Sequence, residues 1–296
     1  MKSLIRPLVA AFAVSSLFLT ACGSDSLGNS PAPGGGESVK VEANSELTDK
    51  LPQKIKDSKK IVVGTDATYA PNEFLDPDGK TVVGADVDLF NAVAAKLGVT
   101  VEWQPSGFDT IITGVQGKKY DAGVSSFTIN DSRKEQVNMV SYFNAGTSWA
   151  TPKGNPKGVD PENACGKTIA VQTGTTQADD DLPVRQEKCG ANKINVLTFD
   201  GQDQVTAAVV SGRADAMLAD SPVVAYAVKQ SGDKVEQLGE IYDAAPYGIV
   251  LAKDQTQFAE AIAAALKEIK ADGSYDKVLE KWGTDDGAID DFAVNP

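Results

Sequence analysis

Asp109-Thr110-Ile111-Ile112-Thr113-Gly114-Val115, followed by Lys119-Tyr120-Asp121-Ala122, is answered further along the chain. The second copy reads Asp203-Gln204-Val205-Thr206-Ala207-Ala208-Val209, followed by Arg213-Ala214-Asp215-Ala216. In each copy an amphipathic helical stripe opens on an aspartate, which complements the positive end of the helix dipole. Each helix then runs into a basic residue and an Asp-Ala step where a strand begins. A single run of this kind could be chance. Recurrence at the same internal spacing predicts two similarly built lobes.

The surroundings of both copies fit an α/β fold with largely parallel sheets, because short apolar runs alternate with helical patterns. Ile61-Val62-Val63, Thr168-Ile169-Ala170-Val171, Val196-Leu197-Thr198-Phe199 and Gly248-Ile249-Val250-Leu251 read as strands. Val87, Phe90, Val93, Ala94 and Leu97 share a helical face, and Gly98 stands where a C-terminal cap glycine belongs. Phe258–Ile269 and Tyr275–Trp282 read as closing helices. Ligands of open parallel sheets bind beyond the carboxyl ends of the strands. The residues just beyond the strands here are polar, small or acidic: Gly64-Thr65-Asp66-Ala67-Thr68-Tyr69, Ser125-Ser126-Phe127-Thr128 with Arg133 beyond, Gln172-Thr173-Gly174-Thr175-Thr176-Gln177, and Asp220-Ser221. These ends predict a binding cleft.

The N-terminus carries a different message. Lys2 and Arg6 precede an apolar run, Leu8–Leu19, which is too short for a bilayer core of about 30 Å and reads as an export signal. It ends in Leu19-Thr20-Ala21-Cys22, which resembles a bacterial lipoprotein box with Cys22 as the acylated residue. From Gly23 to about Gln53 the composition turns to Ser, Gly, Pro, Asn and charged residues, and is expected to form a flexible tether. With Cys22 taken by lipid, Cys165 and Cys189 remain. In an exported chain they invite a disulfide closing a loop of about two dozen residues, the alternative being a pair of buried free thiols.

Composition excludes more than it selects. The chain of 296 residues is 42% hydrophobic and 23% charged, enough to bury a sizeable core. A formal net charge of −13 disfavours nucleic acid or an anionic bilayer as partner. Histidine is absent, which removes the usual general base and the commonest zinc ligand. No metal or cofactor is expected.

The ordered set of motifs resembles one family. It comprises Gly64-Thr65-Asp66-Ala67-Thr68-Tyr69-Ala70-Pro71, Val83-Gly84-Ala85-Asp86-Val87-Asp88-Leu89, Ser125-Ser126-Phe127-Thr128-Ile129 with Arg133, Gly174-Thr175-Thr176-Gln177, Gly212-Arg213-Ala214-Asp215-Ala216 with Asp220, and Ala271-Asp272-Gly273-Ser274-Tyr275. From about Lys60 to Trp282 it is similar to the family 3 bacterial extracellular solute-binding proteins, the polar amino-acid receptors of ABC importers. The resemblance implies a periplasmic-binding-protein-like (type II) fold, a two-lobed clamp in which each lobe is a mostly parallel sheet flanked by helices. Lobe 1 would be residues 57–145 with 248–286, and lobe 2 residues 148–246. Hinge strands near Gly146 and Tyr247 would join them. A signal peptide (1–21), a lipid-anchored tether (22–56) and a C-terminal tail (287–296) complete the expected organisation.

The resemblance also implies an extracytoplasmic, membrane-anchored monomer that hands a free polar L-amino acid, basic cargo being one option, to permease and ATPase subunits. Such a cargo carries a carboxylate and an ammonium on one carbon, and burying both is costly unless each meets an opposite charge. Arg133 offers a planar fork for the carboxylate, and Asp220, from the other lobe, would take the ammonium. Ser125, Ser126, Thr128, Thr175 and Thr176 would supply further hydrogen bonds. Tyr69 and Phe108 would sandwich the side chain. Asp66 stands where a side-chain cation is met in the basic-amino-acid receptors, and Gln172 would line the pocket. Arg133 could instead be a surface residue of a solvated run, Asp220 the cap of the helix starting at Pro222, and the two aromatics core. Ala85 and Asn72-Glu73-Phe74 depart from the family pattern. Competing functions are a cleft enzyme of the cyclohexadienyl dehydratase kind, relying on Asp66, Glu73 and Asp220, a ligand-sensing surface receptor, and a tethered adhesion protein.

Overall fold

The computed structural model of the protein describes residues 39–296. The expected lipidation site at Cys22 and the expected export signal lie outside the described residues. Two short helices, α1 (Ser45–Thr48) and α2 (Gln53–Ser58), lead into β1 (Lys60–Thr65), whose apolar residues are buried on both faces of the sheet. A small antiparallel sheet comes next, of β2 (Thr68–Tyr69), β3 (Glu73–Leu75) and β4 (Val82–Val83). Then come α3 (Ala85–Lys96), β5 (Thr100–Pro105), α4 (Phe108–Gln116), β6 (Ala122–Gly123), α5 (Asp131–Gln136) and the long β7 (Asn138–Pro152). The second half contains β8 (Thr168–Gln172), α6 (Leu182–Glu187), β9 (Asn195–Phe199), α7 (Gln202–Val210), β10 (Ala216–Asp220) and α8 (Ser221–Gln230). A second long strand, β11 (Val235–Leu251), returns to the first half, where α9 (Thr256–Ala271) and α10 (Ser274–Trp282) pack.

The main sheet runs β5-β1-β6-β11-β7-β10-β8-β9. At one end β1 pairs in parallel with β5 and β6; at the other β8 pairs in parallel with β9 and β10. The antiparallel β7 and β11 run between the two ends, and their register shifts between Leu238 and Tyr242, between Tyr242 and Ala245, and between Tyr247 and Gly248. The fold is the expected two-lobed α/β clamp.

The internal echo has a structural counterpart. α4 enters β6 beside β1, and α7 enters β10 beside β8, so each half repeats the same unit. The aspartates of the two Asp-Ala steps do the same job. The Asp121 carboxylate accepts from the Val62 N–H at 2.9 Å, and that of Asp215 from the Thr168 N–H at 2.9 Å. Each satisfies a strand-start donor that would otherwise face out of the ladder. Both helices keep their aspartate in the first turn.

Two expectations about the ends need correction. The segment read as the last part of a flexible tether is folded from Asn44 onwards. Leu47, Leu51 and Ile55 are 4%, 3% and 1% exposed and belong to the core of the first half. Full burial of each is worth about 1.5–3 kcal/mol, which offsets the ordering of a short polar segment. They come from two short helices and the bend between them, isolated apolar residues hidden among charged neighbours. The residues read as a tail are also docked: Phe292 is buried, and the Ser141 N–H donates to the Ala293 carbonyl at 3.0 Å.

Cys165 and Cys189 form a disulfide, as their pairing in an exported chain suggested. It ties the turn before β8 to the end of α6, closing a loop with a sequence separation of 24. Removing it should cost about 3–4 kcal/mol and lower the thermal midpoint by roughly 6–16 °C. Calorimetry of a Cys165→Ala/Cys189→Ala variant checks this, and an unchanged midpoint would refute it. No helix among the described residues is long and apolar enough to cross a membrane.

Candidate functional site

The strand ends of both halves converge on one narrow cavity. Tyr69, Phe108, Ser126, Thr128 and Arg133 line it from the first half, and Thr175, Thr176, Gln177 and Asp220 from the second. The cavity itself is tight, ≈ 10 Å³, and is flanked by larger spaces of ≈ 390 and ≈ 350 Å³. Asp109, Asp179 and Asp180 stand on the rim of one of these, and Asp180, Asp181 and Asp243 on the other.

Arg133 sits on α5, whose N-cap, Asn130, accepts from the Arg133 N–H at 2.9 Å. Although Ser132 and Glu135 beside it are exposed, Arg133 is only 8% exposed. Its Nη1 donates to the Thr128 carbonyl at 2.7 Å and its Nη2 to the Gly174 carbonyl at 3.1 Å, so it touches both halves. The guanidinium lies 5.6 and 5.5 Å from the ring centres of Phe108 and Phe127, which stack on each other 4.6 Å apart. Burial pushes its pKa below the ordinary arginine value, while Asp220, Asp180 and Asp179 oppose the shift from a distance. No carboxylate among the described residues comes within ion-pair reach of it. It is a buried cation whose remaining N–H donors are available to an anion.

Asp220 closes β10 and occupies the N-cap position of α8, yet its side chain makes no capping bond. Oδ1 instead accepts from Gln177 Nε2 at 2.8 Å and Oδ2 from the Tyr247 hydroxyl at 2.7 Å. The Asp220 N–H donates to the Tyr69 hydroxyl at 3.2 Å. Burial pushes this carboxyl above the usual range, against the pull of Tyr247 and Gln177. Its partners are neutral, so each oxygen keeps a lone pair for a cation.

Asp66, Ser125 and Gln172, also singled out in the sequence, form a neighbouring cluster that does not line the cavity itself. The Asp66 carboxylate spans the two halves, meeting Gln172 Nε2 from β8 and accepting from Thr68 Oγ1 at 2.9 Å. Burial pushes it up to about 6. Gln172 also donates to the Asp200 carbonyl at 2.9 Å, but its buried Oε1 has no partner. Ser125 Oγ accepts from the Asp66 N–H at 3.0 Å, and Thr175 Oγ1 donates to the Gln172 carbonyl at 2.8 Å. The cluster thus adjoins the cavity through Ser125–Ser126 on one side and Thr175 on the other.

Several site residues escaped the sequence reading. Gln177 was visible as the last residue of Gly174-Thr175-Thr176-Gln177, but its grip on Asp220 was not. Tyr247, expected only at a hinge, also holds Asp220. Phe127 sits two residues after the singled-out Ser125 and packs against Arg133. Asn72 and Glu73, noted as departures from a pattern, reach Ser126 and Ser125 from behind: Asn72 Nδ2 donates to Ser126 Oγ at 2.8 Å, and Ser125 Oγ donates to Glu73 Oε1 at 3.0 Å. No group of three or more His, Cys, Asp or Glu side chains among the described residues could hold a metal ion.

Comparison with known proteins gives the same outline. A family model described as "Bacterial extracellular solute-binding proteins, family 3" matches residues 61–285. The arginine-binding protein ArgT of Corynebacterium glutamicum is 31% identical over 297 residues, spanning 99% of this chain and 96% of that protein. The ABC transporter glutamine-binding protein GlnH of Bacillus subtilis is 29% identical, spanning 95% of this chain and 97% of that protein. Among solved structures, an ancestral arginine-binding protein bound to arginine superposes with a TM-score of 0.70 at 38% identity, over 76% of this chain and 98% of that one.

Proposed function

This chain belongs to the bacterial extracellular solute-binding proteins, family 3, and from that premise we propose that it captures a free amino acid for an ABC importer. The observation that carries the reading is the pairing of Arg133 and Asp220: both buried, neither in an ion pair, lining one cavity from opposite halves of the sheet. The cargo carboxylate takes the free N–H donors of Arg133, and its ammonium takes the remaining lone pairs of Asp220. Tyr69 and Phe108 flank the side chain; Ser126, Thr128 and the Thr175–Thr176 turn complete the hydrogen bonds. Because different lobes grip opposite ends of the zwitterion, capture and closure are one event, with β7 and β11 bending near Gly146 and Tyr247. We place lobe 1 at residues 57–145 with 248–286, extended by the folded segment from Asn44 and by the docked C-terminal residues, and lobe 2 at 148–246.

The cargo is a cationic amino acid. Asp66 and the unpartnered Gln172 Oε1 put two acceptors beside the cavity, and the aspartates of the rim add a field that draws in cations. Of the three similar proteins named above two are arginine-binding and one is glutamine-binding, so the cargo assignment rests on these acceptors. An enzymatic reading has little to favour it, since Glu73 does not line the cavity and both Asp220 oxygens are held by neutral donors. The chain works as a monomer beside its permease and ATPase, tethered by lipid on Cys22.

Calorimetric titration with each of the twenty amino acids tests the reading; one or more basic amino acids should bind at micromolar Kd or tighter, and a silent panel would end it. The role of Asp66 has its own signature. Protonation removes a negative charge beside the cavity, so arginine affinity should fall by up to about tenfold between pH 7 and pH 5. A flat profile over that range would exclude Asp66 from cargo binding.

A further inference from the structure

Behind the cavity wall lies a second pair of carboxyls that the capture reaction does not use. Glu73, on β3, is fully buried, and Asp86, in the first turn of α3, is 4% exposed. The two lie side by side: the Asp86 N–H donates to the carbonyl of Asn72, the residue before Glu73, at 3.0 Å, and the carboxyls hold the adjacent side chains of Ser125 and Ser126. Asp86 Oδ2 is rich in donors: the Ser126 N–H at 3.0 Å, Ser126 Oγ at 3.1 Å and the Tyr142 hydroxyl from β7. Glu73 Oε1 receives Ser125 Oγ, but the buried Oε2 finds no donor at all.

The groups that face Glu73 are Asp86 from α3, Asp66 from the end of β1, Tyr142 from β7 and Tyr69 from β2. None is cationic, and no ion pair among the described residues reaches either carboxyl. Two like charges cannot both persist in so dry a site. Asp86 is the better seat for the negative charge, since the helix N-terminus and three donors favour it. A proton on Glu73 Oε2 would give the orphan oxygen a role, donating to Asp86.

We propose that Glu73 and Asp86 hold one proton between them, carried by Glu73, and that this pair fixes the Ser125–Ser126 turn in its cargo-binding form. Ser126 is a non-glycine residue at φ 52°, in the left-handed region that side chains avoid, and Asp86 holds both its N–H and its hydroxyl there. Glu73 holds the preceding residue, Ser125, whose Oγ in turn receives the Asp66 N–H. Glu73 is therefore a positioning residue, and that part rests on Ser126 meeting the cargo.

The pH effect has a definite sign. Burial, and Asp86 beside it, push the Glu73 carboxyl well above its ordinary 4.5. The folded chain then keeps a proton that the unfolded chain releases near that value. Stability from this group is full at acid pH and falls as pH rises towards the folded value.

The test uses the whole exported domain of the protein, ligand-free and with arginine as probe. Glu73→Gln keeps a neutral donor and cannot titrate; it should hold the arginine Kd within about threefold of wild type and flatten the decline of the thermal midpoint from pH 5 to 9. Asp86→Asn, equally isosteric, removes the acceptor; it should weaken arginine binding more than about tenfold and leave a less stable fold. A Glu73→Gln protein with the wild-type pH slope, or an Asp86→Asn protein that matches Glu73→Gln in both readouts, would overturn the proposal. The slope needs no ligand, so it stands or falls separately from the capture function. A wild type that binds no amino acid sinks that function alone.

Discussion

Replacing Arg133 by alanine is expected to weaken amino-acid binding by roughly two to three and a half orders of magnitude, equivalent to about 3–5 kcal/mol. The magnitude comes from what is left behind. The cargo carboxylate would be buried between Phe108 and Thr176 with no cation to meet it, and leaving one member of a buried charge pair unpaired is far costlier than losing an exposed one. Two backbone acceptors, the carbonyls of Thr128 and Gly174, would lose their donor as well. Since the Gly174 carbonyl belongs to the other half of the sheet, the substitution also removes a link that holds the cleft shut. Arg133→Lys should rescue little: an ammonium keeps the charge but cannot serve two carbonyls and a carboxylate in one plane. Titration calorimetry, alongside a thermal scan to establish folding, checks both variants. A folded Arg133→Ala protein with a Kd within tenfold of wild type would contradict the assignment.

Asp220→Asn should uncouple affinity from stability. The substitution keeps the shape and a carbonyl oxygen for Tyr247 or Gln177, but it deletes the charge proposed to face the cargo ammonium. Losing one member of such a buried, hydrogen-bonded pair costs about 2–5 kcal/mol of affinity. The ligand-free protein should lose nothing comparable, and should gain at neutral pH. Burial already pushes this carboxyl up, which means that its ionised form is disfavoured in the fold. With arginine at a hundred times its wild-type Kd, the wild type should be stabilised by about 2.7 kcal/mol and the variant by less than about 1 kcal/mol. Thermal scans with and without arginine read this directly. A variant that is stabilised as much as wild type would remove Asp220 from the site.

How far the sequence reached depended on the range of the interactions involved. The helices Phe108–Gln116 and Gln202–Val210 were legible because amphipathic spacing and an aspartate in the first turn are local signals. So were the strand ends, since a parallel strand buried on both faces is a short apolar run that stops where polar residues begin. The same locality explains the errors. Leu47, Leu51 and Ile55 were lost in a polar, charged segment because their partners, among them Leu97 and Leu266, lie far along the chain. Arg133 was ambiguous for the same reason: Ser132-Arg133-Lys134-Glu135 looks solvated, and only the carbonyls of Thr128 and Gly174 turn the guanidinium inwards.

Sequence by itself determined the α/β class, the duplicated unit, the disulfide partners and the chemical types gathered at the strand ends. All of these arise from periodicity, spacing and residue type along one stretch of chain. Tertiary structure alone decided which of those groups meet. It joined Asp220 to Gln177 and Tyr247, set Asp66 against Gln172 across the cleft, and buried Glu73 against Asp86 with no cation at hand. Those pairings depend on burial and on distances between residues remote in sequence, and the energy of a charge is set by such surroundings far more than by its neighbours along the backbone.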